Sequence, residues 1–175
     1  MKYVLLFAAL LSLPLPSQVF LKDALLKHWQ NSSDFTVLVA EAMPPEHYSF
    51  RPNPAQMSFG QLMAHIAAAN HLACASARGQ QAEFPPKIAA WTKNQQGIQV
   101  DKETAVAFLK DSFRSCQSAI AGLSAESLQG VLGTGARAQT PFELLWSYFT
   151  HTAHHRGQAE VYLRLKEITP PTYVF

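Results

Sequence analysis

Charge is scarce in this sequence. Asp, Glu, Lys and Arg make up 15% of the 175 residues, and 14 basic against 12 acidic side chains leave a formal net charge of +2. The basic residues are scattered singly, so the electrostatic footprint of a nucleic-acid binder is missing. There is likewise no strong field to recruit anionic lipid. No apolar run reaches the ~20 residues of a membrane span. No internal repeat or low-complexity tract is visible, and no segment shows the period-2 alternation of a half-buried strand. What is present is 48% hydrophobic content, which suits one globular domain with a sizeable core.

The first residues, MKYVLLFAALLSLPLPSQ, have the layout of a secretory signal peptide. Lys2 gives a positive start, Tyr3 to Leu13 is apolar except for Ser12, and Pro14 and Pro16 precede a cut near Ser17. The expected division is a signal over 1–17 and a helical domain over 18–175. It implies an exported or periplasmic protein with no stable membrane insertion after processing. The alternative is a cytoplasmic chain whose first residues are turns of a buried helix. No lipid-anchor cysteine follows the apolar run.

Four helical stretches are predicted. The first covers about Val19 to Met43 and stops at Pro44-Pro45. The second runs from Ser58 to about Arg78, with Ser58 and Gln61 spaced as a capping box and Gly79 as its stop. The third runs from Asp101 to Ala121. The fourth opens with Thr140 as N-cap, Pro141 at the first helical position and Glu143 completing a capping box, and continues to about Lys166. The class is all-α, a four-helix bundle. Residues 80–100, with Pro85-Pro86 and Gly97, read as a long connection able to make the second and third helices parallel, in an up-down-down-up order.

Three of the seven histidines fall within five positions, His151, His154 and His155. Positions four apart lie about 40° from alignment on a helix, so His151 and His155 share a face. They belong to a stripe of Leu144, Tyr148, His151, His155, Ala159 and Tyr162 expected to face the core. Buried imidazoles need partners, and a metal ion satisfies both at once. A third ligand is required. His65, in the inward stripe Leu62, His65, Ala69 and Leu72, is the best placed. His71 is rotated away from it, and His28 and His47 are unsuited. Tyr148, His154 and Gln158 are expected at the rim of the pocket. Arg156 is expected to form an outward salt bridge or to hold an anionic substrate group. Cys74, nine positions beyond His65, points to the opposite side of its helix and cannot join the site. Two buried free thiols, Cys74 and Cys116, are expected rather than a disulfide.

The segment HTAHHRGQAEVYLRL resembles the C-terminal helix signature of the DinB/YfiT-like family of metal-dependent proteins, H-x-x-x-H-R-G-Q. RPNPAQMSFGQLMAHIAAAN is similar to that family's second-helix segment, a proline-containing loop leading into a helix with one histidine. The resemblance implies an up-down-down-up bundle and a divalent metal, Ni or Zn before Fe or Mn. Carried over by position, the ligands are His65, His151 and His155. It does not imply DNA binding. Relatives that use low-molecular-weight thiols fit poorly with an exported chain.

Three imidazoles leave at least one coordination position open, as a catalytic rather than a structural site does. The expected function is a metal-dependent hydrolase or transferase acting on a small molecule, with hydrolysis favoured by export. No general base is evident, since Glu143 and Glu160 are out of line with the histidines. Two alternatives compete. One is a metal-binding or stress-associated bundle without turnover, and the other is a set of histidines hydrogen-bonded in the core. Association into a homodimer stays open.

Overall fold

The computed structural model describes residues 16–95 and 97–173. The apolar stretch read as an export signal lies outside the described residues, apart from its last two positions. The described chain is all-helical, with five α-helices: α1 (Pro16–Ala42), α2 (Phe59–Ala77), α3 (Pro86–Lys93), α4 (Lys102–Gly122) and α5 (Pro141–Leu165). Short 3-10 turns occupy Pro45–His47, Ser127–Gln129 and Gly135–Arg137.

Local chemistry sets most helix boundaries. The Ser58 hydroxyl accepts from the Gln61 amide at 3.3 Å, and the Gln61 side chain accepts from the Ser58 amide at 2.8 Å. Thr140 and Glu143 close the same reciprocal box on α5, and Asp101 accepts from the Thr104 amide at 2.8 Å at the start of α4. Each cap satisfies an amide the helix itself leaves unpaired. Helix α1 starts at Pro16 rather than near Val19, because a proline in the first turn removes no helical hydrogen bond.

The crossover between α2 and α4 is not structureless. It carries α3, which has Pro86 at its N-terminus and buries Ile88 and Trp91. Pro85-Pro86, in what reads along the sequence as a connection, is also a helix-start signal. Eight residues are too few to be helical alone, and burial of Trp91 and Ile88 supplies what propensity does not.

Among the long helices, α2 packs against α4 and α5, and α1 packs against the same two. Lys22, near the start of α1, donates to the carbonyls of Ala121 and Leu123 at the end of α4 (2.6 and 2.8 Å). Lys102, at the start of α4, donates to the carbonyls of Glu41 and Met43 at the end of α1 (2.7 and 2.9 Å). Each ammonium thus meets the carbonyl end of its neighbour, where the helix dipole favours a cation. Gly60 is required by close approach, since a Cβ there would collide with the Val100 carbonyl that leads into α4.

One expectation is overturned. Cys74 and Cys116 form a disulfide between α2 and α4, with Cα atoms 5.2 Å apart. Cys74 does face away from His65, but that side of α2 is buried against α4 rather than turned to solvent. The bridge closes a separation of 42 residues, worth roughly 4 kcal/mol in the chain-entropy account. Reduction, or replacement of both cysteines by serine, should lower the unfolding free energy by about 2–4 kcal/mol. Guanidinium unfolding with and without reductant measures it, and the double-serine variant should be indifferent to reductant.

Candidate metal centre

The middle of the α2–α5 interface brings three imidazoles together. His65 comes from α2, and His151 and His155 from successive turns of α5. The Nε2 atoms of His65 and His151 are 3.2 Å apart, and one nitrogen from each of the three rings lies within 4.8 Å of the others. Two nitrogens bound tetrahedrally at ~2.0–2.1 Å from one ion would be about 3.3–3.4 Å apart. The donor set therefore fits a single divalent ion.

The rings are held in the protonation state a ligand needs. Burial, reinforced by His155 and His151, pushes His65 down to about 4 from an ordinary 6.5. Burial, then His155 and His154, does the same to His151, also to about 4. His155 is lowered for the same leading reason, burial. Neutral imidazole is the form that binds metal.

Hydrogen bonds outside the trio fix its direction. His155 Nδ1 lies 2.8 Å from the Gln158 carbonyl oxygen, which can only accept. The proton therefore sits on Nδ1, and the Nε2 lone pair is free for a metal. Gln158 in turn donates its amide to His154 Nε2 at 3.1 Å. His154 and Gln158 are exposed. They stand behind His155 rather than lining the cavity, and their contact with the site is through that ring. His151 Nδ1, by contrast, is buried with no partner.

A cavity of about 470 Å³ opens beside His65 and His151, walled by α2, α3 and α5. Tyr148 lines it as expected, with its ring 5.7 Å from that of His151. Leu72, in the stripe with His65, is 46% exposed and lies along the cavity. His71 is turned away, stacked on Phe108 with its Nε2 3.4 Å from Asp111.

Arg156 departs from expectation. Among the described residues it forms no salt bridge, and it does not line the cavity. It is 5% exposed and faces α1, donating to the hydroxyls of Ser32 (3.1 Å) and Thr36 (3.2 Å) with its guanidinium 4.9 Å over the Phe35 ring. One position past His155 is a 100° turn, enough to move it from the α2 side of α5 to the α1 side.

Two residues went unnoticed in the sequence. Thr152 donates to the Asn70 side-chain oxygen at 3.0 Å, and both are buried. This pins α5 to α2 beside the histidine trio. The available signal was an asparagine inside the apolar run IAAANHL, a polar group that must find a partner if buried.

The depressed imidazoles carry a pH signature. The unfolded chain protonates these histidines near 6.5, whereas the folded chain holds His65 and His151 near 4. The unfolded state then binds more protons between those values, so stability rises with pH across that window. The metal-free protein should lose stability as pH falls from about 6.5 to about 4, and His65→Ala should flatten part of the slope. Urea midpoints taken across the range test it, and stability that increased on acidification would contradict the burial argument.

No protein of curated function matches the chain. Solved structures share its fold, among them these three. A DinB-like protein from Bacillus subtilis is 22% identical with a TM-score of 0.67, the alignment covering 86% of this chain and 97% of that one. A DinB-like protein from Bacillus cereus is 19% identical with a TM-score of 0.71, covering 87% and 97%. A conserved protein from Enterococcus faecalis is 17% identical with a TM-score of 0.66, covering 82% and 95%. The profile of the DinB superfamily matches residues 25–159, a span that contains all three clustered histidines. This chain belongs to the DinB superfamily.

Proposed function

We propose that His65, His151 and His155 hold one divalent ion, Ni or Zn before Fe or Mn, and that the protein is a metal-dependent hydrolase or transferase acting on a small molecule. The observation that carries this reading is the opening of the 470 Å³ cavity onto two of the three rings. A structural metal site is closed, whereas this donor set has three protein ligands with a small-molecule-sized space beside it. The end-to-end contacts of Lys22 and Lys102, and the bridge between the C-terminal thirds of α2 and α4, support the up-down-down-up order, which lets α2 and α5 meet at the site.

A bound ion supplies a Lewis acid with coordination room toward the cavity. The chain's own residues do the rest. Three neutral imidazoles donate without cancelling the ion's charge. Gln158 holds His155 in the tautomer that presents Nε2. The walls from α2, α3 and α5 bind the substrate body and keep water away, and Tyr148 brings a hydroxyl-bearing ring beside His151.

Export to an oxidising compartment is part of the same reading. The signal-like residues suggest it, and the buried disulfide supports it, since such bridges persist mainly in oxidising surroundings. A bundle that binds metal without turnover is the second reading. It is favoured by the cavity lining, which among the described residues includes no carboxylate to serve as a base; Glu143 is engaged in the α5 cap and Glu160 pairs with Arg164 at 3.7 Å.

Protein purified without a histidine tag should carry about one equivalent of divalent metal, by elemental analysis. His65→Ala should abolish stoichiometric binding. Gln158→Ala should weaken affinity by about 10–100-fold through loss of ring orientation. Full retention of metal by the His65 variant would refute the three-ligand site. Turnover against hydrolase substrates and thiol acceptors, compared with metal-stripped protein, separates the enzyme from the binder.

A further inference from the structure

The cavity beside the histidines has a chemical character of its own. Apart from the ligand imidazoles, its walls are Ala68, Ala69 and Leu72 from α2, Phe84 before α3, Trp91 in α3 and Tyr148 in α5. The remaining polar groups are neutral: Thr92, Gln95 and Ser147. No described residue of the lining is Asp, Glu, Lys or Arg. A carboxylate or ammonium on a ligand would lose its water here and gain no counter-charge, a costly exchange. An aromatic or branched alkyl body would meet three aromatic rings. The paired alanines at 68 and 69 leave the space such a body needs. Trp91 is 1% exposed, so it forms a fixed aromatic wall of the cavity.

Resting on the three-histidine metal reading, we infer that the site takes an uncharged substrate with an aromatic or bulky alkyl body and a single metal-binding polar head. The same lining disfavours small thiols and peptides that carry free carboxylates. The ion takes the head at His65 and His151, and the body extends between α2 and α3 toward Leu72 at the exposed edge.

Hydroxamates of graded body test this on full-length protein loaded with one equivalent of zinc, followed by calorimetry. Acetohydroxamate supplies the head alone, benzohydroxamate adds a neutral ring, and 4-carboxybenzohydroxamate adds a charge. Benzohydroxamate should bind at least about tenfold more tightly than acetohydroxamate, and the carboxylated form should lose that gain. Leu72→Arg, an exposed change, should restore binding of the carboxylated form, while Ala69→Phe should erase the aryl preference with zinc stoichiometry unchanged. Equal binding of the acetyl and benzoyl probes to zinc-loaded protein would overturn the inference and leave the metal reading standing. Failure to load zinc would overturn both. Should Ala69→Phe not fold, the wild-type probe series and Leu72→Arg still decide the question.

Discussion

Everything in this fold follows from the burial of α2 on more than one side. It packs against α4 and α5, and 14 of its 19 residues are buried. A helix in that position must be apolar around most of its circumference, and the run of alanines between His65 and Asn70 lets its neighbours approach. Two consequences point in opposite directions from its axis. His65 faces α5 and completes the histidine trio, whereas Cys74, half a revolution away, faces α4 and meets Cys116. One buried rod therefore carries both the candidate chemistry and the covalent staple.

The same burial prepares the imidazoles. Three rings converging in a low-dielectric interface cannot all be charged, and desolvation holds His65 and His151 near 4. A cluster of polar groups that would weigh against stability is what a cation requires of its donors. Gln158 adds direction by fixing the proton of His155 on Nδ1. The Thr152–Asn70 hydrogen bond ties the two supporting helices together where a displacement of one would separate the three imidazoles.

Arg156 shows how closely polar positions on α5 are divided. His155 turns toward α2, and the next residue buries its guanidinium against Ser32, Thr36 and Phe35 of α1. Hydroxyl hydrogen bonds and an aromatic face receive a cation that would otherwise be costly to bury. Adjacent residues of one motif thus have separate roles, the first aimed at the ligand site and the second fastening α5 to α1.

Local signals were sufficient wherever a backbone group had to be satisfied nearby. The caps at Ser58, Asp101 and Thr140, and the shared face of His151 and His155, follow from spacing along a single helix, and the inward stripe singled out His65. What lay beyond the sequence depended on which neighbour each face would meet. Helical periodicity gives an angle about an axis but no identity for whatever fills that direction. For that reason Cys74 was turned the right way yet read as a free thiol, Arg156 was expected in an outward salt bridge or on an anionic substrate group, and α3 was missed until Ile88 and Trp91 found a surface to cover. The sequence by itself determined the four long helices and the three histidines. Only tertiary packing decided that these histidines converge, that the cysteines join, and that no described residue lining the adjoining cavity is charged.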